Sequence, residues 1–147
     1  MSERIRYGNV IERTGAGVID ELVVIAGLLI VFLITGEFTA TSFAISTAVV
    51  WLVMARIEGR YGGTPGKLLF GLCVTLADGT TTPIGFRLAL SRRVPDAVSF
   101  VPGIGQLIAV LIALASIVMI SRDKDERRSP YDWFTNTRVV VHKAGRS

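Results

Sequence analysis

The chain has 147 residues, half of them apolar and only 19% charged, with a mean hydropathy of +0.53 and a formal net charge of +4. That balance excludes an ordinary soluble domain and describes one small unit, residues 1–147, for which lipid is much of the solvent. The single cysteine, Cys73, rules out an intrachain disulfide and reads as a small buried hydrophobe.

The first apolar stretch runs from about Ala16 to Thr35, long enough for the roughly 20 residues a bilayer requires. A basic lead, a long apolar run and no clear A-x-A site favour an uncleaved helix over a signal peptide. Asp20 and Glu21 stand at its start, with Arg13 two turns earlier. A charge within lipid costs roughly 2.5–3.5 kcal/mol on insertion scales, so a chain keeps one where the protein compensates it or uses it. Seven residues place Arg13 and Asp20 on one helix face, about 10 Å apart along the axis. Glu21, turned about 100° from Asp20, is expected to snorkel to the interface.

A second span is expected from about Phe38 to Ile57, after a turn near Gly36–Thr41 in which Glu37 is an outer-loop charge. The segment Gly62–Lys67 reads GGTPGK. A Walker A loop fails there, because Tyr61 and Leu68 stand where Gly and Ser/Thr are required. A tight turn fits better, with Gly62, Gly63, Pro65 and Gly66 serving backbone geometry and Lys67 contacting headgroups or an acidic neighbour. Leu68–Leu76 followed by Asp78-Gly79 and three threonines predicts a β-hairpin.

From about Pro83 to Val101 apolar residues alternate with Arg87, Arg92, Arg93 and Asp96, predicting a broken or interfacial membrane segment. Arg92 and Asp96 are four apart and can pair on one face, and Pro95 interrupts the helix. A Pro102-Gly103 turn leads to a further span, about Ile104–Ser121. Arg122–Arg128 reads as a solvated loop, and Arg138–His142 as a short strand.

The 16 Lys and Arg fall into three zones, up to and including Arg13, from Arg56 to Arg93, and from Arg122 onward, with none near Gly36–Thr41. The positive-inside rule then puts both termini in the cytoplasm of a multi-pass cell-membrane protein and accounts for the net charge, so nucleic acid is not expected as a partner. The fold class that follows is an all-α integral membrane protein, a helical bundle of about four membrane segments. It comprises two full spans plus a broken hairpin, with a small cytoplasmic β-hairpin element.

Arg13-x-x-Ala16-x-x-Ile19-Asp20, Glu58-Gly59, GGTPGK, Gly71-Leu72-x-Val74, Asp78-Gly79, Arg87, Arg92, and Asp132 before Thr137-x-Val139-Val140 together resemble the RDD family of small prokaryotic membrane proteins. The family is named for an arginine and two aspartates. The resemblance implies that Arg13 is that arginine and Asp20 the first aspartate, with Asp132 the second and Asp96 competing for that place. The chain departs from the family's usual His-Asp in having Tyr131-Asp132, and it adds Glu21. What the resemblance implies about activity is transport, with cation/proton exchange attributed to some members.

A carboxylate taken out of water takes up a proton more readily, and an opposing arginine reverses that. The residues therefore suggest a cation- or proton-coupled transporter component, with Asp20 as carrier, Arg13 as its tuning partner, Asp132 at the mouth, and Na⁺, K⁺, Li⁺ or H⁺ as the ion. From another class comes a membrane scaffold or assembly factor that docks a partner through the same charges. Enzyme chemistry is not expected: no second protease-type aspartate motif accompanies Tyr131-Asp132. Nor is a metal or cofactor, since His142 has no neighbouring ligand residue. Four short segments enclose little volume, so a homo-oligomer or a membrane-protein partner is expected.

Overall fold

The computed structural model describes residues 6–36, 39–77, 83–100 and 104–141. Helix α1 (Val10–Thr35) starts at a capping box in which Asn9 and Glu12 satisfy each other's backbone N–H, and it stops on Gly36 in the left-handed region. Helix α2 (Ala40–Tyr61) starts on a Thr39/Ser42 pair of the same kind and ends at Gly62, φ 77°, where any side chain would be strained.

Both helices are long and apolar enough to cross a membrane. A Cβ on Gly27 would stand 3.0 Å from a methyl of Val50, so the absent side chain sets how closely the two helices pass. Much of their apolar surface is uncovered by the chain itself, as at Leu33, 78% exposed.

The chain then turns through α3 (Pro65–Leu69), with Pro65 in its first turn, into strand β1 (Leu72–Leu76). Beyond the next described stretch come α4 (Phe86–Ser91) and a 3₁₀ helix (Val94–Phe100). The segment between Pro83 and Val101 is thus two short pieces separated at Arg92–Arg93, and Pro95 falls at the start of the 3₁₀ turn, where a missing N–H is tolerated. Helix α5 (Ile104–Arg122) follows, apolar on every side. Last come α6 (Pro130–Thr135) and β2 (Thr137–Val141).

The two segments expected to be extended, Leu68–Leu76 and Arg138–His142, do form a small antiparallel sheet: among the described residues β1 pairs with β2 rather than with a neighbouring hairpin strand, in the register Leu72↔Val141 through Leu76↔Thr137. Asp78-Gly79 and its threonines, Glu37, Phe38, Pro102-Gly103 and His142 lie outside the described residues. The far edge of β2 takes up the N-terminal segment, with Tyr7 bridging Val140 and the Gly8 N–H donating to Val139 O at 3.1 Å. Burying one face of this sheet favours the non-local pairing, because Leu72, Val74 and Val139 pack against Ala16 to form the buried apolar core. The core therefore sits at the N-terminal end of α1, beside the sheet, rather than midway between the long helices.

The Arg122–Arg128 stretch is an ordered turn. Asp123 accepts the N–H groups of Asp125, Glu126 and Arg128, and Glu126 pairs with both Arg128 and Arg138.

Candidate functional site: two linked carboxylate centres

Asp20 reaches out of α1 toward the turn that precedes α3. One carboxylate oxygen accepts the Thr64 hydroxyl at 2.5 Å and the other accepts the Gly66 N–H at 2.8 Å. A helix N-terminus leaves amides without partners, and Thr64, the residue placed to cap α3, makes no side-chain cap bond. The carboxylate of a distant helix caps it instead, favoured also by the helix dipole. The approach is close: a Cβ on Gly66 would collide with the Ala16 carbonyl and come within 3.0 Å of the Asp20 carboxylate. Two features that stand far apart in the sequence, Asp20 and GGTPGK, are one contact.

Arg13 shares a helix with Asp20, but its guanidinium does not touch that carboxylate. Its guanidinium donates to the Arg127 carbonyl at 2.5 Å, to the Ser129 hydroxyl at 3.2 Å, and to Asp132 in a close ion pair. Asp132 occupies the third position of α6, where it forms a capping box with Ser129 and accepts that residue's N–H at 3.0 Å. Arg92 approaches from the C-terminal end of α4, with Nη2 at 2.9 Å from the other Asp132 oxygen. Asp132 is completely buried and shared by two arginines from distant parts of the chain.

The network continues through Arg92, which donates to the Thr137 hydroxyl and lies 3.5 Å from Glu58 near the end of α2. Glu58, 1% exposed, accepts from Lys67 of α3 at 2.5 Å. A chain of alternating charge thus runs Arg13, Asp132, Arg92, Glu58, Lys67. Buried charges survive when each is paired with an opposite charge, as these are, although Asp132 Oδ1 faces Arg92 without a hydrogen bond of its own.

Burial pushes the Asp132 carboxyl up, but Arg92, Arg13 and the Ser129 amide pull harder and hold it far below the usual carboxylate range. Lys67 is lowered by burial, with Glu58 acting against the shift.

Asp96 lies apart from this chain. It accepts the Tyr131 hydroxyl at 2.6 Å and stands 3.9 Å from Arg93, three residues earlier. The expected Arg92–Asp96 helix pair gives way to these contacts, since α4 ends at Ser91 and 3₁₀ geometry aligns residues three apart. Glu58 and Thr64 were not singled out as site residues from the sequence. The signals were a carboxylate at the end of an apolar span, nine residues before a lysine, and a threonine at the N-cap position ahead of Pro65. Ser129-Pro130-x-Asp132 likewise carries the pattern of a capped helix start.

Among the described residues no group of three or more His, Cys, Asp or Glu is placed to hold a metal ion. Neither a search of curated proteins nor a search of solved structures gives a match. A family model described as RDD family does match, over residues 7–136, and with two long apolar helices this makes the chain an integral membrane protein that belongs to the RDD family.

Proposed function

We propose that the protein is a cation- or proton-coupled transporter or transporter component of the cell membrane, multi-pass with both termini cytoplasmic. The observation that carries this reading is the linkage of Asp20 to α3. Among the described residues its carboxylate is held by neutral donors alone, Thr64 and Gly66, and the same five-residue helix inserts Lys67 between Asp20's site and Glu58. A proton or cation arriving at Asp20 weakens its charge-assisted bonds to that turn. Loosening α3 then disturbs the Lys67–Glu58–Arg92 pairs, so ion loading and the buried network respond together.

Thr35 lies about 22 Å beyond Asp20 along α1 at 1.5 Å per residue, against a hydrocarbon layer of about 30 Å. With Thr35 at the outer boundary, Asp20 stands about one to two turns inside the cytoplasmic edge, within reach of water and of the GGTPGK turn. The fold in this reading has about four membrane segments: α1, α2, the broken α4–3₁₀ piece and α5. One copy encloses little volume, so the transport path is formed by a homo-oligomer or with a membrane-protein partner. No catalytic chemistry is assigned.

A second reading, a membrane scaffold, is favoured by the complete pairing of the Arg13–Asp132–Arg92–Glu58–Lys67 chain and by Glu21, which is exposed on α1 without a partner among the described residues. Flux measurements separate the two. Purified protein in liposomes under a pH gradient is expected to move Na⁺, K⁺ or Li⁺, and Asp20→Asn to abolish the movement while the protein stays folded. Absent flux, with Asp20→Asn releasing a co-purifying membrane protein, would overturn transport in favour of the scaffold.

A further inference from the structure

Beside Glu58 in the chain, the α2 residues Arg56, Gly59 and Arg60, together with Phe86 of α4, line an open groove of about 240 Å³. Gly59 creates it. A Cβ there would stand 2.7–2.8 Å from the Gly85–Phe86 backbone, and the Gly85 N–H donates to Gly59 O at 3.2 Å. The two backbones meet, and the arginines three residues before and one after overhang the joint from one helix face.

These exposed arginines differ from the buried or bridging cations of the chain. Arg13, Lys67, Arg92, Arg128 and Arg138 all have carboxylate partners, whereas among the described residues Arg56, Arg60 and the adjacent Arg87 have none. Arg60 stacks instead on Tyr61, 5.7 Å from the ring centroid. The groove lies at the end of an apolar helix long enough to span the bilayer, walled by the part-exposed ring of Phe86.

We propose that this groove binds the headgroup phosphate of an anionic phospholipid, the two guanidiniums forking the phosphate oxygens and Phe86 packing on the glycerol and upper acyl carbons. A lipid fits better than a free anion because the same groove offers charge and apolar surface together at a helix end where headgroups lie. The inference is independent of the transport reading and concerns different residues.

The test uses the full chain in nanodiscs containing equal phosphatidylglycerol and phosphatidylcholine, with retained lipid counted by native mass spectrometry after detergent extraction. The wild type is expected to retain phosphatidylglycerol preferentially. Arg56→Gln/Arg60→Gln is expected to lower that retention roughly twentyfold. Arg60→Gln alone, kept in case the double variant fails to fold, lowers it about fivefold. Arg122→Gln, at the end of another apolar helix, leaves it unchanged. Excess inorganic phosphate does not displace the lipid. The proposal is overturned if the arginine variants keep the preference, if Arg122→Gln lowers it equally, showing diffuse charge, or if phosphate displaces the lipid, showing a small-anion site.

Discussion

The carboxylate of Asp20 caps a helix that begins 44 residues later, accepting the Thr64 hydroxyl and the Gly66 amide, one on each oxygen. Hydrogen bonds to a charged group are worth about 1.5–3 kcal/mol each when a partner is lost. Asp20→Ala, which loses both bonds, should destabilise the protein in detergent by about 3 kcal/mol or more, Thr64→Val, which loses one, by about 1.5–3 kcal/mol, and Asp20→Asn by about 1 kcal/mol. Hydrogen exchange offers the sharper reading: the Gly66 amide should exchange faster in Asp20→Ala, and an unchanged rate would show that the cap contributes nothing.

Asp132 makes acid sensitivity predictable. A carboxyl held below its unfolded value, about 3.9, contributes stability that is complete above that value and is lost as pH falls toward the depressed one. Thermal unfolding should therefore hold level from about pH 6 to about pH 4 on this group's account and drop below it. Asp132→Asn should be less stable at neutral pH and show a shallower drop. An equal slope in the two proteins would remove Asp132 from the account.

Removing one partner from a buried ion pair leaves the other charge stranded, which costs about 3–5 kcal/mol. Arg92→Leu leaves Asp132 with Arg13 alone and Glu58 with Lys67 alone, so its cost should lie at or below the lower end of that range, about 3 kcal/mol. Because Arg13 and Arg92 share Asp132, the costs of Arg13→Ala and Arg92→Ala should not add, with an interaction of about 0.5–3 kcal/mol in a double-mutant cycle. Strict additivity would mean that the two arginines act independently.

Two glycines on either side of the same contact should respond in opposite directions. Gly66→Ala drives a methyl into the Ala16 carbonyl, a backbone group that cannot move aside, and should cost about 3 kcal/mol or prevent folding. Gly17 faces open space, and Gly17→Ala should be neutral or stabilise by about 0.5–1 kcal/mol. Yield and melting temperature of the pair, compared in one detergent, decide the matter.

Apolar length and strand composition marked α1, α2, α5, β1 and β2 in the sequence, because each is a local property of neighbouring residues. Pairings were harder to read. Asp78-Gly79 advertises a local hairpin, yet β1 joins β2, since the buried face shared by Leu72, Val74 and Val139 outweighs the entropy of closing a long loop. Helical spacing put Arg13 and Asp20 on one face about 10 Å apart along the axis, and said nothing of the ion-pair partner of Arg13, which lies 119 residues away on α6. Arg92 read as an i, i+4 partner of Asp96 because the end of α4 at Ser91 leaves no strong mark in the sequence. Residues that carry charge were visible, and the tertiary route by which each charge is neutralised was not.

The 119 residues between Arg13 and Asp132 also fix an order of events during synthesis. At about 5–20 residues per second, the ribosome delivers the carboxylate roughly 6–24 s after the arginine. Throughout that interval the guanidinium at the head of α1 carries an unneutralised charge, as does Arg92 until its own later share of the wait ends. In the orientation proposed above, both are free to act as topological signals while the helices insert, and Asp132 pairs with them only afterwards.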